Sequence, residues 1–169
     1  AIKNKNLIEI NYKQHNKKVV FSDIKPYKIL FMSDNYYLAC EVQNNYKFSM
    51  YRISNILSIE KKNTTFVYDM NILSFVENIQ TPFAKYSDEF KENFINILVR
   101  VDKSKTYFFE NKKFLASQEI LNKDEEGNLF ISFKVTQEIE IEDLIKKWLP
   151  YLKVIEPISL DEKIKLDIK

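Results

Sequence analysis

Apolar and polar side chains alternate through the first sixty or so residues, and the alternation predicts strands. Residues 6–12 (NLIEINY) set Leu7, Glu9 and Asn11 against Ile8, Ile10 and Tyr12, the two-residue period of a strand with one buried face. Gln14, His15 and Asn16 make a turn. The run KKVVFSDIKPYKILF then continues as one or two strands, interrupted between Asp23 and Pro26, since proline suits an edge or a strand start. Ser33, Asp34 and Asn35 supply a hairpin turn. Residues 35–60 (NYYLACEVQNNYKFSMYRISNILSIE) read as two or three strands around a tight Gln-Asn-Asn turn. On strand geometry Tyr36, Leu38 and Cys40 face one side and Tyr37, Ala39 and Glu41 the other. After the turn Tyr46, Phe48 and Met50 alternate with Lys47, Ser49 and Tyr51, and Arg52 ends the run. Short strands with turn signals between them and no intervening helix predict a small closed or nearly closed barrel.

From residue 63 the pattern changes. Asp69 to Ile79 can form a short helix with Met70, Leu73 and Val76 on one face and Ile72 and Ile79 nearby, closed by Pro82. FAKYSDEFKEN has no clear period and reads as a connector, with a boundary near Asn93. A second unit follows: FINILVRVDK as a strand, SKTYFFENKKF as a helix, LASQEIL as a strand, and NLFISFKV as a strand after the Asp-Glu-Glu-Gly turn. In residues 141–149 Ile141, Leu144, Ile145, Trp148 and Leu149 make one apolar helical stripe, with Glu142 and Asp143 early and Lys146 and Lys147 late, and Pro150 stops it. YLKVIEP is a strand, and Ser159 with Glu162 has capping-box spacing for a last helix that stacks Leu160, Ile164 and Ile168. This order predicts a split βαβ, ferredoxin-like unit with a helix added, so the fold class is α+β.

Composition narrows the function. With 169 residues and 45% hydrophobic content the chain can build one or two cores. A net charge of +2 is too balanced to demand a nucleic-acid partner by itself. Cys40 and His15 are each the only residue of their type, which excludes an internal disulfide and argues against a zinc site; a reducing cytoplasm is the expected location. No apolar run reaches the roughly 18 to 20 residues that span a bilayer, so no membrane partner is expected. The single glycine, Gly127, rules out glycine-rich phosphate loops and dinucleotide fingerprints, and no cofactor is expected.

Arg52 is the first candidate for ligand contact, because a guanidinium at a strand end can bind phosphate or stack on a base; a structural salt bridge is the alternative. Tyr37 and Tyr51, with Ser49 and Lys47 between them, can share an outward face if the hairpin is regular, and rings interleaved with cations make a platform for single-stranded nucleic acid. Ordinary packing with a wet hydroxyl is the other reading of these tyrosines. Strict alternation puts Arg52 on the Phe48 and Met50 side unless a bulge intervenes near residue 51. Tyr12, His15, Lys17 and Lys18 border the patch or form a solvated turn. No nucleophile, base and orienting acid can be assembled, so an enzyme is not expected. Asp124 to Glu126 and Glu138 to Asp143 read as a turn and a helix start.

The order aromatic, Tyr, Leu, turn, Phe-x-Met-x-Arg-Ile resembles the signature of bacterial WYL-domain transcriptional regulators, Trp-Tyr-Leu followed by Phe-Arg-Leu-Asp-Arg-Ile. Tyr37, Leu38, Phe48, Arg52 and Ile53 match; Tyr36 stands for the Trp, Ser49 for the first Arg, Met50 for Leu and Tyr51 for Asp. Ser49 cannot supply the bidentate donors of the arginine it replaces. The Pro-Tyr-x-Ile-Leu segment at Pro26 also matches, and Trp148, Leu149, Val154 and Pro157 resemble the family's C-terminal extension. The resemblance implies an Sm-like, SH3-type small β-barrel over 1–62, a helical connector over 63–93 and a ferredoxin-like α+β C-terminal domain over 94–169. It implies the ligand-sensing region of a transcription factor, with a nucleic acid or nucleotide effector, single-stranded DNA among them. The candidate ligand set read from the residues themselves is Tyr36, Tyr37, Lys47, Ser49, Tyr51 and Arg52, with His15 and Lys17 beside it. Promoter DNA would be read by a missing N-terminal winged helix-turn-helix, and the regulator would be a homodimer. The rival reading is a ligand-free dimerisation or assembly module.

Overall fold

Consecutive residues with left-handed backbone mark the first two hairpins. His15 and Asn16 have φ of 47° and 66°, and Ser33 and Asp34 have 49° and 59°, the two-residue turns whose twist matches that of the flanking strands. In the computed structural model, which describes residues 1–169, they join β1 (Asn6–Gln14) to β2 (Lys17–Met32) and β2 to β3 (Asn35–Glu41). β4 (Phe48–Arg52), a 3-10 turn (Ile53–Asn55) and β5 (Ile56–Thr65) complete an antiparallel sheet in the order β4-β3-β2-β1-β5. β4 and β5 are its two edges, so the five strands form one sheet without a ladder that closes it.

The segment expected to be interrupted near Asp23 and Pro26 is one strand, β2, of 16 residues. It bends instead of breaking. Its pairing with β1 shifts between Ile8 and Ile10, its pairing with β3 shifts between Pro26 and Lys28, and Asp23 takes φ 54°. Such irregularities increase local twist and let one strand serve two partners; Pro26, which has no N–H to give, sits at the second. One face gathers Ile8, Ile10, Ile24, Leu38, Cys40 and Tyr51 into a buried cluster. The other face buries Tyr27, Ala39 and Phe48.

Helix α1 (Met70–Asn78) starts at Asp69, whose carboxylate accepts from the N–H groups of Asn71 and Ile72. Its buried stripe is Ile72, Phe75 and Val76; Val76 and its expected neighbour Ile72 are inside, Phe75 joins them, and Met70, expected on the same face, is 70% exposed. The large ring decides the rotation: Phe75 lies 5.0 Å from Phe48 and 5.2 Å from Tyr86, both edge-on. Residues 1–82 with 86–88 form one compact unit, and residues 83–85 with 89–169 the second.

In the second unit β6 (Ile95–Val101), β7 (Glu119–Lys123), β8 (Leu129–Val135) and β9 (Leu152–Glu156) pair antiparallel in the order β7-β8-β6-β9. Helices α2 (Thr106–Asn111), α3 (Ile139–Lys147) and α4 (Ile158–Asp167) follow β6, β8 and β9. Ile97, Val99, Val101, Leu129, Ile131, Phe133 and Val135 alternate into one core with Phe109, Ile141, Ile145, Leu160 and Ile164. β7 begins four residues later than the LASQEIL pattern suggests. The preceding segment is fastened by buried Gln118, whose Nε2 donates to the carbonyls of Phe109 and Lys112 and whose Oε1 accepts from Phe114 N.

α3 ends at Lys147, with Trp148 as its C-cap; Ile141 and Ile145 are buried, and Leu144, Trp148 and Leu149 pack partly against the core. α4 has no side-chain cap. Its N-cap is Pro157 in extended conformation, so the Ser159 and Glu162 capping box does not form; Leu160 and Ile164 are buried, but Ile168 is 58% exposed. The Leu149–Pro150 and Glu156–Pro157 bonds are cis. No helix is long and apolar enough to cross a membrane.

Candidate functional site

Register decides which candidate side chains meet. β3 and β4 pair without a shift, setting Tyr37 opposite Arg52, Leu38 opposite Tyr51 and Cys40 opposite Ser49. Directly opposed residues share a face. Arg52 and Tyr37 therefore lie together, while Ser49 and Tyr51 face the buried cluster with Leu38 and Cys40.

The outward platform expected from Tyr37, Ser49 and Tyr51 does not form. Tyr51 is 7% exposed and packs at 5.2 Å on Tyr12 and 5.1 Å on Phe21. Burial pushes its phenol up to about 12, with the nearby Cys40 adding to the shift and a hydrogen bond with Ser49 pulling it back. Where the signature sequence carries an acid, this chain buries a ring.

Arg52 is exposed and has no carboxylate within ion-pair distance, so the salt-bridge alternative is not realised. Its Nε donates to Asn35 Oδ1 at 3.0 Å, its Nη2 donates to the same oxygen, and its backbone N–H donates to Tyr12 Oη at 3.2 Å. Asn35 is itself fixed: its Nδ2 donates to the Ser33 carbonyl at 2.8 Å. The hairpin turn thus aims an amide oxygen that orients the guanidinium while leaving it net positive and with further N–H donors. Sequence reasoning used Asn35 only as a turn residue and Tyr12 only as a neighbour; nothing in the linear pattern says that either meets Arg52.

The remaining candidates are elsewhere. Tyr36, 58% exposed, alternates to the face opposite Tyr37 and packs on Phe31 at 4.9 Å. His15 and Lys17 are exposed at the β1–β2 turn. Lys47, with φ 57°, reaches Asp88 at 2.8 Å, and Tyr86 Oη donates to the other Asp88 oxygen at 2.6 Å; the bond from Lys47 first and that from Tyr86 second hold Asp88 below the usual carboxylate range.

A second polar group occupies the α1 side of the sheet. Lys25 Nζ meets Glu41 at 2.5 Å, Tyr27 Oη donates to the other Glu41 oxygen at 2.6 Å, and Asp69 N–H donates to Tyr27 Oη at 2.7 Å. Burial and then the Glu41 bond raise the Tyr27 phenol well above its ordinary value. This chain of bonds ties β2 and β3 to the start of α1. Cys40 is buried, and desolvation raises its thiol, which suppresses the reactive thiolate. No group of three or more His, Cys, Asp and Glu is placed to hold a metal ion.

Comparison with known proteins bears on the first unit. Residues 1–61 match the family model described as WYL domain. A search of curated proteins finds no match to the chain. Among solved structures the chain is similar to one described as a CRISPR Cas-related protein, at 13% identity and TM-score 0.59, over 98% of this chain and 46% of that one. It is also similar to proteasome accessory factor B/C (PafBC) of Arthrobacter aurescens, at 10% identity and TM-score 0.39, over 98% of this chain and 24% of that one. The chain thus spans under half the length of either. The signature positions Tyr37, Leu38, Phe48, Arg52 and Ile53 all fall within the matched residues, and the first unit of this chain carries a WYL domain.

Proposed function

We propose that this chain is the ligand-sensing regulatory region of a bacterial transcription factor, with a nucleic acid or nucleotide effector bound on the first unit around Arg52 and Tyr37. The observation that carries the reading is Arg52 itself: exposed, without a counter-ion, and oriented by Asn35 beside an aromatic residue. Arginine prearranged in this way suits a phosphate, and the neighbouring ring suits a base. The sheet order and the register shifts along β2 support an Sm-like small barrel completed across the β4–β5 turn. The order β7-β8-β6-β9, with helices after β6 and β8, supports a ferredoxin-like second domain.

On this reading the protein is cytoplasmic and performs no catalytic step. Promoter DNA is read by another domain of the regulator, and the effector biases the spacing of two such domains in a homodimer. The test is fluorescence anisotropy of short labelled single-stranded DNA and of a labelled nucleotide at two salt concentrations. Binding that weakens with salt and falls at least about tenfold in Arg52→Ala, with the fold retained, supports the reading. Equal binding by Arg52→Ala refutes it, and a folded dimer that binds neither probe favours an assembly module.

A further inference from the structure

The second unit carries an aromatic and cationic surface that none of the chemistry above uses. α2 buries Thr106 and Phe109 and leaves Tyr107 and Phe108 70% and 46% exposed. The turn after α3 is drawn beside them, because Asp102 N–H donates to the Tyr151 carbonyl at 2.8 Å, and Tyr151 is 41% exposed. Phe108 packs on Trp148 at 5.3 Å. Lys105 Nζ lies 4.7 Å from the Tyr151 ring centre and 5.9 Å from that of Phe108. Exposed rings gathered in this way are unusual on a soluble surface without a partner.

Two further observations concern what the surface lacks. The Trp148 indole N–H is buried and has no acceptor. Lys103, Lys105 and Lys147 belong to no ion pair, and Asp102 Oδ1 accepts from the N–H and O–H of Ser104. The surface therefore carries cations that no carboxylate of this chain neutralises by an ion pair.

Ring geometry selects the class of partner. A nucleic-acid base needs an open ring face to stack on. Here Tyr107 and Phe108 stand at 81° to each other, Phe108 and Trp148 at 46°, and the Tyr151 face lies under Lys105. Crevices between tilted rings suit a side chain, and the unpaired Lys105 among them suits a carboxylate. We propose that Lys105, Tyr107, Phe108, Trp148 and Tyr151 form a docking surface for an acidic peptide segment of a partner protein, anchored by an aromatic or aliphatic side chain. This surface lies wholly in the second unit and does not depend on the role proposed for Arg52.

Trp148 is the only tryptophan, so its emission reports on this surface directly. The full chain is titrated with an acetylated peptide of Asp and Glu flanking a central Phe, with a peptide carrying Lys in place of the acids, and with an oligothymidine. The expected result is a saturable emission change with the acidic peptide alone, weakened about fivefold or more by Lys105→Glu and by Tyr107→Ala. Tyr107 is exposed and Lys105 half-buried, and circular dichroism checks that both variants fold. The proposal is overturned by no saturable change, by an equal response to the lysine peptide, by unchanged affinity in both folded variants, by preference for the oligothymidine, or by self-association of the chain through these residues.

Discussion

Raising the pH should unfold the first unit, because three of its buried groups keep protons that the unfolded chain gives up. Cys40, Tyr27 and Tyr51 are 0%, 4% and 7% exposed, and burial is the largest cause of the raised value in each. Their ordinary values are 9.0 for the thiol and 10.0 for the phenols. A neutral acid whose folded value is raised contributes its full stability below the unfolded value and loses it as pH rises above that value. At pH 11 the unfolded chain therefore gains about 3 kcal/mol from the thiol and about 1 kcal/mol from each phenol. Together they remove about 5 kcal/mol, comparable with the whole stability of a small domain. For Tyr51 the loss saturates near its folded value of about 12. Urea unfolding followed by circular dichroism at pH 8 and pH 11, with phenolate absorbance recorded in parallel, measures the loss. Tyr51→Phe should lessen the alkaline penalty by about 1 kcal/mol at pH 11. If all the tyrosines ionise near pH 10 while the unit stays folded and no less stable, the account of these buried groups is wrong.

Other perturbations test the framework around the candidate surfaces. Phe75→Ala removes a ring that is 1% exposed and packs on Phe48 and Tyr86; a loss of about 3–5 kcal/mol in denaturant unfolding of the first unit is expected. In the second unit the buried Glu140 carboxylate accepts from Thr136 N–H and Oγ1–H at 2.6 Å each and from Gln137 N–H at 3.4 Å, so Glu140→Ala should cost about 1–3 kcal/mol and show as faster amide exchange at Thr136. Arg52→Ala should leave thermal stability nearly unchanged, since the exposed side chain makes only the Asn35 contact; a large drop in melting temperature would make Arg52 a structural residue.

Arg52 illustrates how far the candidate site was legible. Its strand and its side of the strand follow from period-two alternation, because each step along a strand reverses the face. The Asn35 contact does not follow, since the hairpin brings together residues 17 positions apart. Tyr51 misleads for a related reason. Tyr is compatible with either a wet face or a core, and only the ring contacts with Tyr12 and Phe21 commit it to the interior.

The features legible in the linear order are local: alternating strands, hairpin turns at His15–Asn16 and Ser33–Asp34, a short helix beginning near Asp69, and the family signature from Tyr37 to Ile53. These depend on backbone preferences and on neighbours a few residues away, which the linear order contains. Tertiary structure decided the bend that keeps β2 a single strand, the rotation of α1 onto Phe75, the late start of β7 behind Gln118, and the pairing of Arg52 with Asn35. Each depends on packing volume or on a hydrogen-bond partner far away in sequence, and those quantities exist only once the chain has closed on itself.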